Sequence, residues 1–193
     1  KRLSDELSES QTFYRLDKEK KILSLRLVTA DTDEYRQAAS LVSGFWQELG
    51  IKVDLFFVPP KSISRDVLKE RDYDVLLYSI IVGDNPDPYP FWHSSQIKFP
   101  GLNLSGYTNR TVDGLIEKIR QSGISDEDRR IAYQKFSENL AIDHPAIFLY
   151  SPVYSYIVSD QIQGIKIQQI FHPSDRFAGV TNWYVKTNGQ WKF

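Results

Sequence analysis

The chain has no cysteine and no methionine. The first absence excludes disulfides, thiolate metal sites and a cysteine nucleophile. It leaves the compartment open, since a cysteine-free chain suits oxidising and reducing surroundings alike. The second absence, with a start at Lys1, gives the expectation of a processed product or an excised fragment. No apolar run approaches the ~18 residues needed to span a bilayer, and no secretory signal opens the chain. In a fragment, a missing signal says nothing of where the parent protein resides. An excess of charge is missing too: 24 basic and 25 acidic residues leave a formal net charge of −1. That gives no electrostatic reason to expect nucleic acid or an anionic membrane as partner.

The rest of the composition is ordinary for a globular protein: 193 residues, 41% hydrophobic and 25% charged, enough to bury a core. Residues 1–21 read as a weak leading helix (Leu3, Leu7) and a polar linker. Leu23, Leu25 and Leu27 then alternate with polar residues, as a half-buried strand does. Thr32 or Asp33 can cap a helix whose apolar face is Tyr35, Ala38, Ala39, Val42, Phe45, Trp46 and Leu49, with Gly50 just past its end. Ile51, Val53, Leu55 and Phe57 form a second alternating strand. Next come a short helix over 62–71, with Ile63, Val67 and Leu68 inward, and a third strand over 74–82. This β-α-β-α-β order predicts parallel neighbours with right-handed crossovers.

The apolar run Val75–Val82 enters a turn with two carboxylates, Asp84 and Asp87. Gly83, Pro86, Pro88 and Pro90 stop the strand and stiffen the loop beyond it. Ligands of open α/β sheets sit outside the carboxyl ends of strands, so Asp84 is the acid in the better place. Asp87, before Pro88, reads more simply as a turn residue. Together they could also serve as an acid/base pair, which would make the chain a hydrolase. His93 beside Ser94 and Ser95 suggests a triad, but no G-x-S-x-G elbow accompanies it. His93, His144 and His172 lack metal-ligand spacing. No metal and no cofactor is expected. Tyr89, Phe91, Trp92 and Tyr107 lie in irregular sequence and are candidate cleft aromatics. Phe45, Trp46, Phe57 and Phe136 fit core positions. The sequons at Asn103 and Asn109 are chance-level matches.

Two further helices are expected, near 110–122 and 126–142. The first can be capped by Asn109. Ser125, with Asp128 three residues on, resembles a capping box for the second. Ala146–Val158 is β-rich, and Ser159–Phe193 is irregular yet strongly apolar.

The ordered segments LSLRLVTADTDEYRQAASLVSGFWQELGIKVDL, YDVLLYSIIVGDNPDPYPFW, NLSGYTNRTVDGLIEKIR and DRRIAYQKFSENLAIDHPAIFLY resemble the carboxyl-terminal lobe of family 5 extracellular solute-binding proteins. FAGVTNWYV is similar to the family's closing segment. The resemblance implies an α/β, type II periplasmic-binding-protein-like lobe with a mainly parallel sheet over residues 22–160. It implies a tail, 161–193, that returns to an absent other lobe. It implies a non-enzymatic role: binding peptides or a similar small solute outside the cytoplasmic membrane, in the periplasm or lipid-anchored, for an ABC permease. In peptide-binding relatives an aspartate in a G-D-N-x-D-P-like turn meets the peptide's α-amino group, and Asp84 matches it in Gly83-Asp84-Asn85-Pro86-Asp87-Pro88. Ile81, Val82, Gly83 and Asn85 complete the implied ligand contact. Many such relatives carry tryptophan where this chain has Ile81, so one wall of the side-chain pocket differs here. An alternative reading is a ligand-sensing lobe of a transcriptional regulator, in which a related lobe is fused to a DNA-binding domain.

Overall fold

The computed structural model describes residues 13–16, 18–83, 86–166, 170 and 172–185. They fall into two compact units. One is drawn from the chain up to Ser79 together with Pro90–Asn109, the other from Ile80–Tyr89 together with Arg110 onward.

The first unit holds a three-stranded parallel sheet in the order β2-β1-β3, formed by β1 (Ser24–Ala30), β2 (Lys52–Val58) and β3 (Val75–Leu77). β1 pairs with β2 along its whole length, from Ser24 opposite Lys52 to Ala30 opposite Val58. A central parallel strand is covered on both faces, which is why Leu27, Val28, Thr29 and Ala30 are all buried. On one face Leu27 and Val53 pack with Ala39 of helix α1 (Asp33–Glu48). On the other, Val28 and Ala30 pack with Ile63, Val67 and Leu68.

Helix α1 begins where expected. Thr32 is the N-cap, and its hydroxyl accepts from the Tyr35 amide. It ends at Gly50, whose φ of +79° suits only glycine without strain. A Cβ there would also stand 3.1 Å from the Phe13 carbonyl oxygen and from Arg15 Cγ.

Three expectations change in this unit. The helix expected over 62–71 is a five-residue π-helical turn, Ser64–Leu68, wide enough to seat Val67 and Leu68 against the sheet. The third strand, expected over 74–82, is only Val75–Leu77, which pairs with Leu27, Val28 and Thr29 of β1. Phe45, placed in the core by helical spacing, is 62% exposed. It shares a solvent-facing stripe with Leu41 and Leu49, while Val42 and Trp46 carry the inward face.

The second unit contains helices α3 (Arg110–Arg120) and α4 (Asp126–Asp143), numbered after α2 (Tyr89–Trp92), a single turn that spans the unit boundary. α3 buries Val112, Ile116 and Ile119; α4 buries Ala132, Phe136 and Leu140. Ser125 caps α4 by accepting from the Asp128 amide, and its hydroxyl donates to the Asp128 carboxylate. His144, in left-handed conformation, ends α4 before Pro145.

Ala146–Val158 forms no strand despite its composition. Ile147, Phe148, Leu149, Tyr150, Val153 and Ile157 are exposed. Beyond it, β4 (Ile162–Gln163) and β5 (Tyr184–Val185) pair antiparallel. The Arg176 guanidinium faces the rings of Phe177 and Tyr156 and donates to the Tyr154 hydroxyl. So the tail, where described, is tied both to itself and to the segment before it.

Candidate functional site

β3 stops at Leu77, and the chain from Tyr78 to Gly83 is neither strand nor helix. The turn residues therefore do not directly follow a strand end, contrary to the sequence reading. Asp84 and Asn85 lie outside the described residues. Their neighbours Ile81, Val82 and Gly83 are described. Ile81 and Val82 are 69% and 52% exposed. Gly83 takes φ +74°, with nothing near enough to obstruct a Cβ, so the turn itself asks for glycine there. The backbone of Ile80–Gly83 makes no hydrogen bond to another described residue. A short apolar segment whose main chain is not paired with other described residues can accept an extended ligand in the manner of strand addition.

The far side of the turn is held firmly. The Asp87 carboxylate accepts from the Tyr89 amide at 3.0 Å and faces the Arg120 guanidinium at 3.4 Å. Arg120 lies over the Tyr89 ring, 4.2 Å from its centroid. The Tyr133 hydroxyl donates to the Pro86 carbonyl at 2.6 Å. Burial pushes the Tyr133 hydroxyl above its ordinary pKa; the Asp87 carboxylate adds to the rise and Arg129 opposes it. Tyr133 thus remains a donor at neutral pH.

Asp87 is a turn residue, as its place before Pro88 suggested, and its carboxylate accepts from the Tyr89 amide within the loop. Arg120 and Tyr133 were missed by sequence reasoning. Both are carried by helices outside the turn, Arg120 at the end of α3 and Tyr133 on α4. Tyr133 and Pro86 are far apart in sequence, so no local pattern links them.

The remaining candidates have structural work. His93 is buried; its Nδ1 accepts from the Ser95 amide and lies 2.8 Å from Ser95 Oγ, capping the turn Ser94–Gln96. Asn103, also buried, donates to the His93 and Tyr107 carbonyls and accepts from the Tyr107 amide. Its sequon is therefore inaccessible. Trp92 and Tyr107 meet edge to face, with centroids 6.4 Å apart. Among the described residues, no helix is long and apolar enough to cross a membrane.

No protein-family model matches the chain. It is similar to the oligopeptide-binding protein AppA of Bacillus subtilis (strain 168), with 28% identity over 173 residues, covering 88% of this chain and 31% of that protein. The structure of AppA from Bacillus subtilis in complex with a nonapeptide matches at TM-score 0.68 and 25% identity, over 93% of this chain and 34% of that one. NikZ from Campylobacter jejuni, solved with Ni(L-His), shares the fold at TM-score 0.64 and 21% identity, over 90% of this chain and 36% of NikZ. The chain spans about a third of the length of these relatives. In sequence and fold it resembles the carboxyl-terminal lobe of a family 5 extracellular solute-binding protein, with the α/β architecture of the type II binding proteins.

Proposed function

We propose that this chain is the carboxyl-terminal lobe of a substrate-binding protein that captures peptides, or a similar small solute, outside the cytoplasmic membrane for an ABC permease. The observation that carries this reading is the similarity to AppA along most of the chain. The exposed side chains of Ile81 and Val82 support it, as does a backbone over Ile80–Gly83 that makes no hydrogen bond to another described residue, because both suit an extended ligand. Asp84 is the residue we assign to the ligand's ammonium group. A carboxylate and an ammonium brought together as a cleft closes interact strongly, and the charge-assisted hydrogen bond fixes direction. Asn85, Gly83, Val82 and Ile81 supply the neighbouring contacts. The protein works in the periplasm or lipid-anchored at the outer face of the membrane. The tail, 161–193, returns to the absent lobe.

The hydrolase reading is weaker. Asp87, half of its acid/base pair, is already engaged by Arg120 and the Tyr89 amide. Peptide libraries incubated with the intact protein are expected to be bound and left uncleaved. Asp84→Asn is expected to weaken peptide binding by about 2–5 kcal/mol if the pair is desolvated on closure. Equal affinity of the two proteins by calorimetry would remove Asp84 from the site. Good pockets enclose most of a ligand's surface, so the 193-residue chain alone is expected to bind peptide poorly.

A further inference from the structure

We infer that the outer edge of β2 is an interface with a second copy of this chain, in which the two β2 strands pair antiparallel about a two-fold axis at Val53.

β2 is an end strand of its sheet, in the order β2-β1-β3. Its bonds to β1 fix which way each residue faces. The Lys52 amide donates to the Leu23 carbonyl, and the Val58 carbonyl accepts from the Asp31 amide. A strand residue turns its amide and carbonyl to one side, and its neighbours turn theirs to the other. Lys52, Asp54, Phe56 and Val58 therefore bond inward to β1. Val53, Leu55 and Phe57 turn their main-chain groups to the outer edge, where no described residue pairs with them. Such an edge is a template for another strand unless proline, a bulge, charge or a covering element blocks it. β2 contains no proline, and its register with β1 runs unbroken from Lys52 to Val58.

Its charges do not block a second copy; they match one. Lys52 and Asp54 share one face of the strand, with Nζ 2.9 Å from Oδ1, and both side chains are nearly half exposed. An axis at Val53 sets Lys52 opposite the partner's Asp54, and Asp54 opposite the partner's Lys52. Both are positions without ladder hydrogen bonds, where facing side chains stand closest. Opposite charges there stabilise the pairing and like charges oppose it. Val53 exchanges both main-chain bonds with the partner's Val53, and the Leu55 amide donates to the partner's Ile51 carbonyl. Ile51 serves only as acceptor, because its own amide donates to the Trp46 carbonyl. An axis at Lys52 or at Asp54 sets like charges against each other. An axis at Leu55 sets Lys52 against the partner's Val58 and Asp54 against the partner's Phe56, with no ion pair. The charge pattern thus selects partner, direction and register. The contact is isologous and closes by its own symmetry. The overlap, residues 51–55, is at the small end of specific interfaces, so a weak dimer with Kd of about 0.1 mM is expected.

The test is sedimentation equilibrium of the full 193-residue chain, from about 10 μM to about 1 mM. The wild type is expected to dimerise across that range. Lys52→Asp and Asp54→Lys each place like charges across the axis, and each is expected to weaken the dimer by about tenfold or more. Mixed in equal amounts, the two variants are complementary, one edge acidic and the other basic. Dimerisation in the mixture is expected to return to the wild-type level or beyond. Melting temperatures check that each variant is folded. One that is not is replaced by Lys52→Gln or Asp54→Asn, expected to weaken the dimer several-fold without repulsion. A wild type still monomeric at about 1 mM overturns the proposal. Dimerisation unchanged by the substitutions also overturns it, and places the contact elsewhere, on a surface such as Ala146–Val158. Loss in the single variants without recovery in the mixture overturns the axis at Val53, and the proposal with it.

Discussion

β1 and the segment Ala146–Val158 look alike in sequence, and the structure treats them oppositely. Both are rich in β-formers and short of charge. In β1, Leu27 is 1% exposed; in the later segment, Ile157 is 94% exposed. The difference is partners. β1 has β2 on one edge, β3 on the other, and packed side chains on both faces. The later segment pairs with no strand among the described residues. A strand is a relation between segments, and its side chains are buried only when the other members are present. The relatives are about three times as long as this chain. An apolar surface of this kind is unusual on a free-standing monomer.

The sharpest way to break this comparison is to truncate one side chain in each segment. Leu27→Ala is expected to cost about 2–5 kcal/mol in urea unfolding, through lost burial and the cavity left behind. Ile157→Ala is expected to stay within about 0.5 kcal/mol of the parent chain. A large loss at Ile157 would mean that the segment has buried itself after all, against this chain or a second copy.

Glycines give a smaller, cleaner version of the same contrast. Gly50 and Gly123 both have φ near +80°. Gly50 is crowded by a distant part of the chain, with Arg15 and Phe13 atoms in reach of a Cβ, whereas nothing stands within 4 Å of one at Gly123. Alanine at Gly123 meets only local strain, expected to be about 1 kcal/mol. Alanine at Gly50 adds displacement of backbone atoms and is expected to cost more, up to about 3 kcal/mol. Equal midpoints for the two variants in denaturant would show that the leading segment yields freely, and that Gly50 answers only to its own turn.

Legibility in the sequence follows the same division. The β-α-β start was readable because Leu25, Leu27 and Val53 alternate, and because Thr32 and Gly50 punctuate α1 through local rules. The cap at Ser125 was readable for the same reason. β3 was overextended because an apolar run records a tendency to be buried, whereas strand length depends on which residues pair across the sheet. Phe45 was misplaced because helical spacing cannot say how wide the covered stripe is. At the candidate turn, sequence reasoning found the segment through its glycine and prolines and read Asp87 as a turn residue. It did not find Arg120 or Tyr133, whose contacts exist only once α3 and α4 are folded. Asp84 was singled out by its expected place past a strand end, and its role toward an ammonium group rested on resemblance.

The smallest expected effect belongs to the most local device, the Ser125–Asp128 cap. The Ser125 hydroxyl beside Asp128 holds that carboxyl below its ordinary pKa, with Lys118 helping. A carboxylate whose folded pKa is depressed contributes stability that is complete above its unfolded value, about 4, and lost as pH falls through the folded value. Ser125→Ala removes the main cause of the shift and also the acceptor for the Asp128 amide. At neutral pH the variant is expected to be about 1 kcal/mol less stable, as for other helix caps. Only the hydroxyl-to-carboxylate part of that loss depends on pH. The gap in urea midpoint between parent and variant should therefore narrow, without closing, as the medium is taken from about pH 6 to about pH 2.5. A gap constant across that range would show that the hydroxyl serves the amide alone. A gap that widens in acid would contradict the direction of the Asp128 shift. Either outcome would leave β1 and Ala146–Val158 untouched, because neither depends on a contact confined to one turn of helix.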